Sequence, residues 1–115
     1  MPVVQIKGLP RIVKSTLFYE IKLIMRGALA SIKELEITSD QITVEFPQDR
    51  YEGDVATEII INIEKLFVKK GRTAKVKKRI SEVACKIMKQ YFPLAKVECF
   101  TSSFDQRKEG FYCIE

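Results

Sequence analysis

The residue of this chain best suited to chemistry is its second. In "MPVVQIKGLPR", Pro2 follows the initiator methionine, and a small residue there normally leads to removal of that methionine. The chain would then begin with a secondary amine. An amine acts as a general base only when unprotonated, and a free α-amino group titrates at about 7.7 to 8.0, with that of proline higher. Burial or neighbouring cations must therefore lower it for work near neutral pH. The competing explanation is that proline stands there only because it permits trimming. Few other residues could do the same work: the chain has no histidine, which removes imidazole bases and imidazole metal ligands. Cys85, Cys99 and Cys113 cannot all pair within one chain, and none forms a Cys-x-x-Cys unit. They read as reduced, structural thiols, and no metal or organic cofactor is expected.

The elements that must position Pro2 are legible in the apolar pattern. "VVQI" (3–6) and "EIIINIE" (58–64) are short apolar runs that predict buried strands. Each is followed by an Arg-containing turn, "GLPR" and "KKGRT", and then by an amphipathic segment. Leu17, Ile21, Ile24, Met25, Ala28 and Ile32 recur at helical spacing in the first half, and Val76, Ile80, Val83, Ala84, Ile87 and Tyr91 in the second. The two sets superpose at a constant offset of 59 positions. After each helix comes a further strand, "ITVEFPQDRYEG" (42–53) and "KVECFTSSFDQRKEG" (96–110), with Val-Glu, Phe, Asp, Arg and Glu-Gly in the same order.

The expected fold is therefore α+β, with duplicated β-α-β units forming a four-stranded mixed sheet that carries two helices on one face. The 115 residues form a single domain, with pseudo-repeats of about 1–55 and 56–115. "EIIINI" is apolar at nearly every position, which predicts burial on both faces of its strand. Another copy of the chain is the economical cover for the face without helices, although an outward Asn62 relieves part of that need.

Composition narrows the class further. With 46% hydrophobic and 30% charged residues, the chain has the profile of a globular protein. It shows no apolar run long enough for a bilayer and no secretory leader, so a cytoplasmic location without membrane contact is expected. The net charge of +5 is local: Lys65 to Arg79 holds eight Lys or Arg and no acid, leaving 12 basic against 15 acidic residues elsewhere. Such a run can meet an anion or simply form a solvated helix face.

With its proline start and duplicated units, the chain resembles the tautomerase superfamily. "MPVVQI" is similar to the Pro-x-x-x-Ile opening of 4-oxalocrotonate tautomerase, and the duplicated layout with its "LPR" turn resembles macrophage migration inhibitory factor. "ITVEFPQDRYEG" and the terminal "EGFYCIE" are similar to a functionally uncharacterised bacterial and archaeal branch. The resemblance implies a keto-enol tautomerase or isomerase that uses Pro2 as general base on a small, acidic, enolisable compound, assembled as a homotrimer.

Carried onto this sequence, it implies a cleft cation at Lys33, a substrate-binding Arg11 one residue nearer the proline than in the short tautomerases, and a backbone N–H at Ile63. It further implies that Glu98 and Phe100, on the last long strand, reach a neighbouring subunit's pocket, and that Phe111 is an aromatic lid. Ordinary roles are available to each: helix-end cation, turn residue, core side chain, strand alternation and interface packing. Arg72 repeats the Arg11 turn in the second half, but no free proline precedes its strand, so one site per subunit is expected.

Two other functions share this element order. A trimeric interaction protein would keep the fold without the chemistry. A ferredoxin-like nucleic-acid-binding domain has the same β-α-β-β-α-β order, but it stacks bases on aromatics of its first and third strands, and "VVQI" and "EIIINI" contain none. Nucleic acid is therefore the less favoured partner.

Overall fold

The structure, a computed structural model, describes residues 2–47 and 56–115. The elements run β1 (Val3–Lys7), α1 (Ser15–Ala30), β2 (Thr43–Glu45), β3 (Glu58–Phe67), α2 (Ala74–Tyr91) and β4 (Lys96–Phe104), with short 3-10 turns at Lys33–Leu35 and Ser39–Gln41. They build one four-stranded sheet in the order β2-β1-β3-β4. The outer pairs, β1 with β2 and β3 with β4, are parallel, whereas the central pair is antiparallel, with Val3 opposite Glu64 and Lys7 opposite Ile60. This is the mixed sheet expected of two β-α-β units. The 42–53 motif contributes only its first residues to β2, and its 48–53 portion lies outside the described residues.

One face of the sheet is dry. Val4, Ile6, Val44, Ile59, Ile61 and Ile63 form a single core with Ile21, Met25 and Leu29 of α1 and Val76, Ile80, Ala84, Ile87 and Met88 of α2. Side chains on a strand alternate between faces, so the residues between these point the other way. On β3, Ile59, Ile61 and Ile63 are buried beneath the helices, while Ile60 and Asn62 lie half-buried on the face without helices, the one expected to be covered by another copy. On α1, Ile24 leaves the expected stripe and is exposed, because the buried line is Ile21, Met25 and Leu29 at i, i+4 and i+8. Ile32, which the pattern assigned to the same helix, is buried just beyond its end.

Local chemistry sets the ends of these elements. Thr73 caps α2, its Oγ1 accepting from the Val76 N–H at 3.3 Å. Gly8 turns the chain out of β1 at φ +91°, and a Cβ there would stand 2.2 Å from the Glu58 carbonyl oxygen. Only glycine fits that crossing of β1 past the start of β3.

Candidate active site

Pro2 immediately precedes β1, and its carbonyl accepts the Thr43 N–H at 3.1 Å, which ties it to β2. Its ring is buried above an apolar floor of Leu29, Ile63, Leu66 and Ile80. Above that floor opens a cleft of about 190 Å³, bordered by Pro2, Lys65, Lys69, Arg72 and Glu36, with Ile37, Gln41 and Phe67 completing its walls. The antiparallel register explains this company. Val3 faces Glu64, so one further step sets Pro2 against Lys65, and the chain leaving β3 then delivers Lys69 and Arg72 to the same end of the sheet.

At Lys65 the strand departs from regular geometry. The register with β4 breaks between Ile63 and Leu66, and Lys65 takes the left-handed conformation at φ +60°. Opposite the proline, Glu36 also has a left-handed backbone, φ +52°, as it closes the Lys33–Leu35 turn.

Arg72 is the only charged or polar side chain found buried among the described residues, at 8% exposure. Its Nη1 donates to the Phe67 carbonyl and its Nη2 to the Leu35 carbonyl, both at 2.7 Å, so the guanidinium clamps the two walls of the cleft together. Nε is buried without a hydrogen-bond partner. Burial pulls the pKa of this guanidinium down, and the nearby Glu36 carboxylate opposes the shift. The cleft borders thus carry three cations against one acid. An anion of small size is the ligand such a lining favours.

The residues singled out in the sequence fall into two groups. Phe111 is half-exposed and meets Phe67, a wall of the Pro2 cleft, edge to face at 5.0 Å between ring centroids. Ile63 lies beneath Pro2 as floor, and its backbone is in register with Val4 on one side and Thr101 on the other. The interrupted ladder begins one residue later.

Lys33, Arg11, Glu98 and Phe100 stand apart from the cleft within one subunit. Lys33 is exposed at the start of its 3-10 turn, and it is Glu36 and Ile37 from that loop that border the cleft. Arg11 follows the far end of β1, which carries it roughly 17 Å from Pro2 at about 3.3 Å per strand residue. Glu98 pairs with Lys96 at 2.8 Å, and Phe100 is 57% exposed, both on the open sheet face.

Sequence reasoning missed Lys65, Lys69 and Glu36 as cleft residues, and it took Arg72 for a repeat of a turn. The available signal was the acid-free run directly after the strand that pairs with Pro2. In the structure two members of that run are engaged within the chain: Arg72 is buried and Arg79 pairs with Glu34.

Other parts of the molecule offer less chemistry. A hollow of about 310 Å³ at the opposite end, lined by Pro10, Ile12, Val13, Tyr91, Phe92 and Leu94, carries no amine or carboxylate. Burial pushes the Cys85 and Cys99 thiols up, which keeps them protonated near neutral pH. Among the described residues no cluster of metal-ligating side chains occurs, and no helix is long and apolar enough to cross a membrane.

No family model matches the sequence, and no curated protein does either. Solved structures do match it in three dimensions. A domain of unknown function from Sebaldella termitidis superposes with a TM-score of 0.69 at 13% identity, covering 96% of this chain and 95% of its own. Macrophage migration inhibitory factor from Toxoplasma gondii gives 0.67 at 10% identity, covering 95% of each chain. A 5-carboxymethyl-2-hydroxymuconate isomerase from Deinococcus radiodurans gives 0.61 at 13%, covering 96% of this chain and 88% of its own. The chain shares the α+β fold of these proteins. That likeness spans nearly the whole chain, and at these identities it concerns the backbone arrangement.

Proposed function

We propose that this tautomerase-fold protein is a cofactor-independent isomerase that moves a proton between oxygen and carbon of a small, enolisable carboxylate, with Pro2 as general base. The observation that carries this reading is the cleft itself, in which Pro2 on an apolar floor meets Lys65, Lys69 and Arg72. Once Met1 is removed, the Pro2 nitrogen becomes an amine. Three cations and a desolvating floor then disfavour its protonated state, and the single Glu36 offsets them only in part.

In ketonisation the amine accepts the enol O–H proton, and the oxygen's electrons form the carbonyl. The former double bond takes the proton back at carbon, which regenerates the free amine. The exposed Lys69 ammonium holds the substrate carboxylate, the buried Arg72 guanidinium adds its charge from the cleft wall, and Phe111 packs against Phe67 in the adjoining hollow. No metal or organic cofactor is needed for these steps. The direct test follows the enol of an arylpyruvate spectrophotometrically with untagged protein. A saturable rate above buffer is expected, and decay equal to buffer contradicts the reading.

The assembly we propose is a homotrimer. Its support is the sheet face without helices, which presents half-buried Ile60 and Val3 and the exposed Phe100. In such an assembly Glu98 and Phe100, which stand on this face, would be the residues that approach a neighbouring subunit's cleft. Sedimentation equilibrium should give three times the 13.3 kDa chain mass, whereas a monomer at micromolar concentration contradicts it.

A further inference from the structure

The bulge in β3 has a specific consequence for Lys65. Ile59, Ile61 and Ile63 occupy successive inward positions, and strict alternation would make residue 65 the next side chain in the core. An ammonium cannot be buried there unpaired. The broken register after Ile63 removes Lys65 from that series and lets Leu66, 1% exposed, take the inward position. Lys65 instead borders the Pro2 cleft and the adjoining aromatic hollow of Phe67, Phe104 and Phe111.

This arrangement is held at φ +60°, where a side chain is unfavourable and glycine is the ordinary occupant. The bulge thus serves packing, and it also leaves a lysine, where glycine would be the easier occupant, at the border of the cleft, a non-glycine outlier of the kind from which a functional role is argued. We propose that Lys65 is a second catalytic residue: its ammonium donates a hydrogen bond to the enolate oxygen that develops while Pro2 carries the proton. Lys65 keeps its own proton throughout, so the step balances with the Pro2 amine alone as carrier. This inference rests on the proton-transfer reading above.

Lys65→Gly separates the strain from the charge. Glycine accepts φ +60° without penalty, so the variant melts a few degrees higher than the wild type. Its kcat for enol ketonisation falls about 100-fold with KM little changed, as for loss of one oxyanion donor. Oxalate, a planar dianion with the shape and charge of a 2-oxo acid enolate, binds it at least about 10-fold more weakly by calorimetry.

Lys65→Asn, a second side chain that tolerates this conformation, shows the same losses and keeps the test valid if the glycine variant misfolds. Wild-type kcat and oxalate affinity in both variants overturn the proposal, as does a loss confined to KM. Pro2→Ala, measured in parallel, retains oxalate binding. Full turnover by Pro2→Ala overturns the proline base, whereas unchanged oxalate affinity in the Lys65 variants overturns Lys65 alone.

Discussion

Replacing Pro2 with alanine should lower kcat/KM for enol ketonisation by about two orders of magnitude while the protein still folds. General-base catalysis contributes roughly 100- to 10,000-fold. The lower end is expected here, because an N-terminal alanine still offers an amine, but a primary one without the ring that rests on the Ile63, Leu66 and Ile80 floor. Alanine preserves the hydrogen bond from the Thr43 N–H to the Pro2 carbonyl but loses buried ring methylenes, each worth about 0.8 kcal/mol, so the fold is kept at a modestly lower melting temperature. Steady-state kinetics beside a thermal melt separate the two effects. Wild-type turnover by a folded Pro2→Ala protein would remove the proline from the mechanism.

Arg72→Met should damage both stability and binding. The variant leaves the Leu35 and Phe67 carbonyls without their guanidinium donors, and hydrogen bonds from charged groups are worth about 1.5 to 3 kcal/mol each. Relief of the buried charge offsets part of this, since its surroundings already disfavour the protonated form. A net loss of about 2 kcal/mol remains, or a fall in Tm of about 8 °C for a chain of this size. The two walls it joins then separate and the cleft loses one of its three cations, so KM for a carboxylate substrate rises about 10-fold. Arg72→Lys should recover little of either effect, because one ammonium cannot span both carbonyls. An unchanged melting temperature and KM for Arg72→Met would contradict the clamp.

The contrast between what was and was not legible in the sequence is instructive. The element order and the mixed sheet follow from apolar spacing, and Ile21 with Ile80 or Met25 with Ala84 occupy matched core positions in the two units. Periodicity could not exclude Ile24, because a stripe one residue too wide still reads as helical. Pro2 stood out through its place before a strand. Its neighbours did not, because Lys65, Lys69 and Arg72 reach it only through the antiparallel pairing of β1 with β3, over sixty positions away in the chain. Glu36 arrives through a left-handed turn that no local pattern announces. Arg11, near to Pro2 in sequence, is carried off by the very strand that Pro2 begins.

The central claim is that the Pro2 nitrogen is a free amine poised as a base. The most direct measurement is a pH titration of protein labelled with nitrogen-15 at proline, followed by the chemical shift of the Pro2 nitrogen. A single titration below the ordinary proline amine range, matching the acidic limb of kcat/KM, is the predicted result. A nitrogen that does not titrate, as in a peptide bond to a retained Met1, or one that titrates at the value of an unperturbed proline amine, would contradict it.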